Sequence, residues 1–177
     1  MPLILSGSAG LSGNVGNVTK DMLPAGSVIQ VVQAVLNSAW STNSTTFQDF
    51  LNCSITPTSL TNKILVMFDV AASGNGSIAT VLQLKRNSTP IYQGDIASGR
   101  AQGLSQIYTG LDYHLLRTAG NYLDAPGTLS PVVYSIAALS SGGGANYANI
   151  NRTNADRAST SYDTRSSSSL TLLEVKA

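Results

Sequence analysis

Lys63-Ile-Leu-Val-Met-Phe-Asp-Val-Ala-Ala72 decides how this chain reads. Apolar residues occupy both odd and even positions, and no 3.6-residue spacing separates a wet side from a dry one. The stretch therefore predicts a central β-strand covered on each side. It ends at Ser73-Gly-Asn-Gly-Ser77, a cluster of turn-formers, and a second apolar run follows at residues 78–86.

Outward from this pair the same pattern recurs. Runs at 28–35, 47–56, 115–123, 132–139, 147–151 and 170–175 are separated by Ser, Thr, Asn and Gly, and Pro57 closes the second of them. Arg86-Asn-Ser-Thr89 turns the 78–86 run back into a short strand at 90–94. Residues 95–113 are weakly patterned and read as a long connection with some local structure. Residues 152–167 read as a long polar loop. Eight to ten short strands without a helical period predict an all-β fold, a jelly-roll-like antiparallel β-sandwich. It occupies residues 26–177.

Residues 1–25 differ. They contain no aromatic residue, and glycine recurs at Gly7, Gly10, Gly13 and Gly16. Four triplets without proline are too few for a collagen helix. The segment reads as an extended Gly-rich N-terminal arm, bounded by Pro24-Ala-Gly26. Leu3, Ile4, Leu5, Leu11, Val15 and Val18 make it more apolar than a linker needs, which suits an arm that gains order on another protein.

Composition narrows the function. Charged residues make up only 11%, with ten Lys and Arg against nine Asp and Glu. A typical globular domain carries about 25%. Neutral Ser, Thr and Asn cost less to desolvate than ions, so such a surface suits burial against copies or partners. There is no cationic surplus to hold a phosphate backbone, which argues against nucleic acid. No apolar run approaches the roughly 20 residues of a membrane-spanning helix. Met1-Pro-Leu-Ile-Leu5 lacks the basic and long apolar regions of a secretory signal. A chain made in the cytoplasm follows.

Catalytic chemistry finds little material. His114 is the single imidazole, and Asp112 lies too close along the chain to orient it by spacing alone. No Gly-x-Ser-x-Gly elbow is present. Asp49, Asp69, Asp95, Asp112, Asp124, Asp156, Asp163 and Glu174 are the right type for a glycosidase pair, but spacing selects none of them. No metal-ligand cluster, calcium loop or phosphate loop occurs. Cys53 stands alone and reads as a buried small hydrophobe. No catalytic residue, metal or cofactor is expected.

Two sets of side chains suggest contact surfaces. Arg152, Asp156, Arg157, Asp163 and Arg165 alternate in sign across the penultimate loop. They read either as solvated pairs or as charges that meet copies of themselves and set the register of an oligomer. Seven tyrosines outnumber Phe and Trp together. Tyr tolerates a half-dry boundary, and Tyr108, Tyr113 and Tyr147 are candidates for surface contact or for capping the sandwich ends.

Six segments also carry a resemblance. Asn62-Lys-Ile-Leu-Val-Met-Phe-Asp-Val70, Leu84-Lys-Arg-Asn-Ser-Thr-Pro-Ile91, Gly94-Asp-Ile-Ala-Ser-Gly-Arg100, Tyr122-Leu-Asp-Ala-Pro126, Asn149-Ile-Asn-Arg152 and Ser169-Leu-Thr-Leu-Leu-Glu-Val175 stand in an order that resembles small virion proteins of tailed bacteriophages, of the tail-fibre or head-decoration type. The resemblance covers residues 26–177. It implies a jelly-roll or tumour-necrosis-factor-like domain that assembles as a homotrimer and has no catalytic residues. It also implies an arm that docks on the major capsid, collar or tail proteins of the virion, at the virion surface after assembly in the host cytoplasm. No long coiled or β-helical shaft is present in this sequence, which favours a short fibre or capsid decoration. Host surface glycan is a further expected partner. The alternatives are a free carbohydrate-binding module and, behind it, a polysaccharide-degrading enzyme.

Overall fold

In the computed structural model, which describes residues 19–158 and 162–177, two antiparallel sheets face each other across one apolar core. A 3-10 turn at Lys20–Met22 precedes eleven strands among the described residues. They are β1 (Val28–Leu36), β2 (Trp40–Thr42), β3 (Gln48–Ile55), β4 (Lys63–Ser73), β5 (Ala79–Arg86), β6 (Thr89–Ile91), β7 (Ser105–Tyr108), β8 (Leu116–Asp124), β9 (Val132–Ser140), β10 (Ala148–Ile150) and β11 (Ser168–Val175).

The first sheet runs β1-β11-β4, with β8 on the far edge of β4. Beyond β11, the upper end of β4 pairs with β10, which in turn carries β2. The second sheet runs β3-β9-β5, and β6 and β7 pair with β5 at different heights. Successive long strands cross from sheet to sheet, except between β5 and β7. That winding is the jelly roll the sequence predicts. The arm expected at 1–25 falls, for residues 1–18, outside the described residues.

Alternation within each strand fills the core. Ile64, Val66, Phe68 and Val70 of β4 point inward with Leu170 and Leu172 of β11. From the opposite sheet come Leu82, Leu84, Tyr134, Ile136, Cys53 and Ile55. Each large aliphatic side chain buried this way stabilises the fold by roughly 1.5–3 kcal/mol. Gly120 makes room for Phe68, its partner in register: a Cβ there would stand 2.7 Å from Phe68 Cζ.

Three expectations change. β2 and β7 lie in stretches read as connection, because strands of three and four residues carry too little pattern to stand out. The 78–86 run begins its ladder at Ala79, after the Asn75–Ile78 turn. Most important, from Lys63 to Asp69 β4 is covered on one side only, while Ala71 and Ser73 above are buried as well. Ile64, Val66 and Val70 are fully buried, whereas Met67, on the opposite face, is 44% exposed. The described residues form two layers here, and along this stretch β4 shows its second apolar face to the outside.

The sandwich has two distinct ends. Residues 19–27, 56–62, 125–131 and 176–177 lie at the end where β1 begins and β11 finishes. Residues 37–47, 74–78, 109–115, 141–147, 151–158 and 162–167 lie at the other. Among the described residues no helix is long and apolar enough to cross a membrane.

Candidate functional site

At the entry end, the first described residues are fastened to the last. Gly26 N donates to Lys176 O at 2.8 Å and Lys176 N to Ser27 O at 2.9 Å. The Lys176 ammonium donates to the carbonyls of Lys20, Asp21 and Leu23 at 3.3, 2.7 and 2.6 Å. Directly beneath lies Glu174, with no exposed surface. Its carboxylate accepts from Asn62 Nδ2 at 2.7 Å, Thr58 N at 2.6 Å, Thr58 Oγ1 at 2.9 Å and Gln30 Nε2 at 3.0 Å. Burial alone would raise its pKa, but these four donors outweigh burial and hold the carboxyl below its ordinary value. The 56–62 connection is thereby tied to β1 and β11 under the point of chain entry. The arm residues Leu3, Ile4, Leu5, Leu11, Val15 and Val18 lie outside the described residues.

At the loop end, Arg152, Asp156, Arg157, Asp163 and Arg165 come together within one chain. Arg152 pairs with Asp156 at 3.1 Å, Arg165 with Asp156 at 2.8 Å and Arg157 with Asp163 at 2.8 Å. The Arg157 guanidinium also lies 5.8 Å from the ring centroid of Tyr113 and 5.6 Å from that of Tyr162. Tyr113, Tyr147 and Tyr108 are all exposed at this end, the last with its hydroxyl donating to Gly76 O at 2.8 Å.

The groups considered for catalysis have other partners. His114 Nδ1 donates to Thr109 O at 2.9 Å, while Asp112 Oδ1 accepts from Gly76 N and Asn154 Nδ2. Asp49, Asp69 and Asp124 are ion-paired with Lys85, Arg117 and Arg86. Asp124 also accepts from the buried Tyr134 hydroxyl at 2.6 Å. Burial, and then that hydrogen bond, push the phenol pKa up. Burial likewise raises the Cys53 thiol. Among the described residues no cluster of His, Cys, Asp and Glu is arranged to hold a metal ion.

The feature that sequence reasoning left unplaced is the outer face of the first sheet. Register puts Val31 opposite Leu173, Leu173 opposite Leu65, and Leu65 opposite Leu123, so one aliphatic row crosses four strands. The next row is Gln33, Thr171, Met67 and Asn121, and the third is Val35, Ser169, Asp69 and Ala119. Val31 is 58% exposed and Leu123 47%. Three rows on four strands span about 400 Å², with the apolar part formed by the first row together with Met67, Val35 and Ala119. Small side chains at Ala119 and Ser169 leave an open depression of about 410 Å³ in this face, beside Met67 and Thr171. Charge stands at its borders: exposed Lys63, opposite Val175, at the lower one, and at the upper one Arg117, which donates to both oxygens of Asp69 at 2.9 and 2.6 Å.

The signal for this face was present in the sequence: residues 63–72 are apolar at both parities. No protein-family model matches the chain, and no curated protein matches it in sequence.

Proposed function

We propose that this protein is a non-enzymatic structural protein of a bacteriophage virion, a homotrimeric surface projection held on the particle by its N-terminal arm. The observation that carries the reading is the uncovered side of β4. A strand apolar on both faces calls for a second covering layer, and the described residues supply only one.

Copies of the same chain are the occupant this face suits. Its first two rows hold aliphatic residues, amides and one threonine, without an ion or an aromatic ring. Nucleic acid would need cations, which these rows lack. A copy brings matching aliphatics such as Val31 and Leu123 to enter the depression beside Met67, and amides at Gln33 and Asn121 that can donate and accept. Closed symmetric homomers are the commonest way such faces are buried. The trimeric state, and the virion itself, come from the resemblance carried by the six segments.

The two ends divide the remaining work. Chain entry beside Lys176 and Glu174 supports assigning particle docking to that end of the sandwich. The tyrosine- and arginine-bearing loops stand at the other, away from the particle and toward a host surface. Three arms per trimer convert weak docking into firm docking by raising effective concentration.

The test is removal of residues 1–18 in the phage. The truncated chain should keep its oligomeric mass and disappear from purified particles. Incorporation at the native level would overturn docking through the arm. A trimer with no particle partner would favour a free carbohydrate-binding module. Reducing-end release from host polysaccharide, abolished by a single Asp→Asn change, would favour an enzyme.

A further inference from the structure

The geometry points to a binding pocket for a carboxylated sugar on the outer face of the second sheet, near the loop end. The pocket holds about 490 Å³, within the range of small-ligand sites. Its floor is Val81 and Leu139, which face outward from β5 and β9 and stand opposite each other in register, with Gln106 of β7 beside Val81. Thr45 and Ser141 form one wall and residues 99–101 the other.

The second wall is built, not incidental. Between β6 and β7 the chain climbs the outside of the sheet as a strap. Leu104 N donates to Leu82 O at 2.9 Å, Gln83 Nε2 to Gln102 O at 3.2 Å, and Gln102 Nε2 to Gly94 O at 3.0 Å. Gly103 allows the close approach, since a Cβ there would lie 2.7 Å from Leu82 O. A turn closed by Arg100 N and Ala97 O at 3.1 Å, with Gly99 at φ +72°, sets Arg100 at the pocket's edge.

Arg100 is the one charged residue among those lining the pocket, and no carboxylate lines it. The nearby Asp49 on β3 is neutralised by Lys85 at 2.9 Å. The site therefore offers a planar cation that can take a carboxylate through two parallel hydrogen bonds. Beside it are hydroxyl and amide groups of Thr45, Ser141 and Gln106 for a sugar's hydroxyls, above a narrow apolar floor where Val81 and Leu139 are 7% and 6% exposed. One row further along the same face of β7 stands Tyr108, 54% exposed, its ring oriented by the bond to Gly76 O. An oriented exposed ring on the same face is a stacking platform for a sugar extending from the pocket.

This inference deepens the surface-projection reading by naming the chemistry the projection contacts, yet one chain contains the whole pocket. The test is titration of the full-length protein with methyl glucuronide, methyl glucoside and acetate, followed by backbone amide NMR. Methyl glucuronide should bind saturably and shift the Gln106, Leu139 and Ser141 amides. The uncharged glucoside and acetate should each bind at least about tenfold more weakly, as should methyl glucuronide to the Arg100→Gln variant. Equal affinity for glucoside or acetate, unchanged affinity in the variant, or shifts confined to another surface would overturn the site. A column of immobilised polyuronate should retain native protein and pass the variant, and retention of both would count against it. Incorporation of the Arg100→Gln chain into particles should equal native, so loss of sugar binding and loss of docking are read separately.

Discussion

Asn151 Nδ2 donates to the backbone carbonyl of Leu36 across 2.7 Å and so ties the end of β10 to the end of β1, 115 positions away in the chain. The same amide group donates to Ser38 O at 3.1 Å, its Oδ1 accepts from Ser168 Oγ at 2.6 Å, and its backbone N–H donates to Ala71 O at 2.9 Å. One buried residue, through its side chain and its backbone, thus stitches four segments at the loop end. It does so at φ +62°, a conformation Asn tolerates better than most residues.

Replacing Asn151 by Ala removes the partner of the part-buried Leu36 and Ser38 carbonyls and of the Ser168 hydroxyl proton, and keeps the left-handed backbone. Stability should fall by about 2–4 kcal/mol, read as a lower urea midpoint at unchanged slope. Asn151→Asp should cost at least as much at pH 7, because it sets a carboxylate oxygen against Leu36 O and Ser38 O.

Glu174 gives a pH signature. Its folded pKa lies below the ordinary value, so its contribution is present above the range where an unfolded Glu titrates. That contribution is lost as pH falls through the folded pKa. Glu174→Gln keeps the shape but turns an amide NH2 toward groups that donate. At pH 7 the variant should be less stable by about 1–3 kcal/mol, and the gap between the two urea midpoints should narrow by pH 3. A constant gap would remove Glu174 from the acid response.

Gly120→Ala tests the inner packing of β8. The new methyl meets Phe68 Cζ at 2.7 Å, so the ring must move within a filled core. A loss of about 1–3 kcal/mol is expected. Adding Phe68→Leu should cost less in the Gly120→Ala background than in the native one, which a double-mutant thermal melt measures.

Cys53 is 7% exposed and its thiol is disfavoured from ionising by burial. A disulfide exchange reagent should label it at the rate of unfolding in native buffer and within seconds in denaturant. Fast labelling of the native protein would show that β3 opens locally.

The long strands were legible because apolar runs and turn-formers alternate along the chain, and 63–73 could be recognised as central. β2 and β7 were not, since Trp40–Thr42 and Ser105–Tyr108 owe their conformation to partners distant in sequence, β10 and β5. The Glu174 and Asn151 networks were hidden for the same reason. Neither Asn62 nor Leu36 carries any local mark of a partner more than 110 positions away. The charges at 152–165 were visible as a set, but their pairing within one chain depends on how the loop folds back over β10. The outer apolar face was half legible. Its residues could be seen, but the layer covering them was assigned to the chain itself, and only topology shows that face turned outward.

The central claim is that sibling copies cover that face. Sedimentation equilibrium at low micromolar concentration tests it on the native chain and on Val31→Glu and Met67→Glu, both exposed enough for a single chain to tolerate. The native protein should sediment at three chain masses, and each variant at one, with its urea midpoint for the single chain intact. A native protein that sediments as one chain, or variants that remain trimeric, would contradict it.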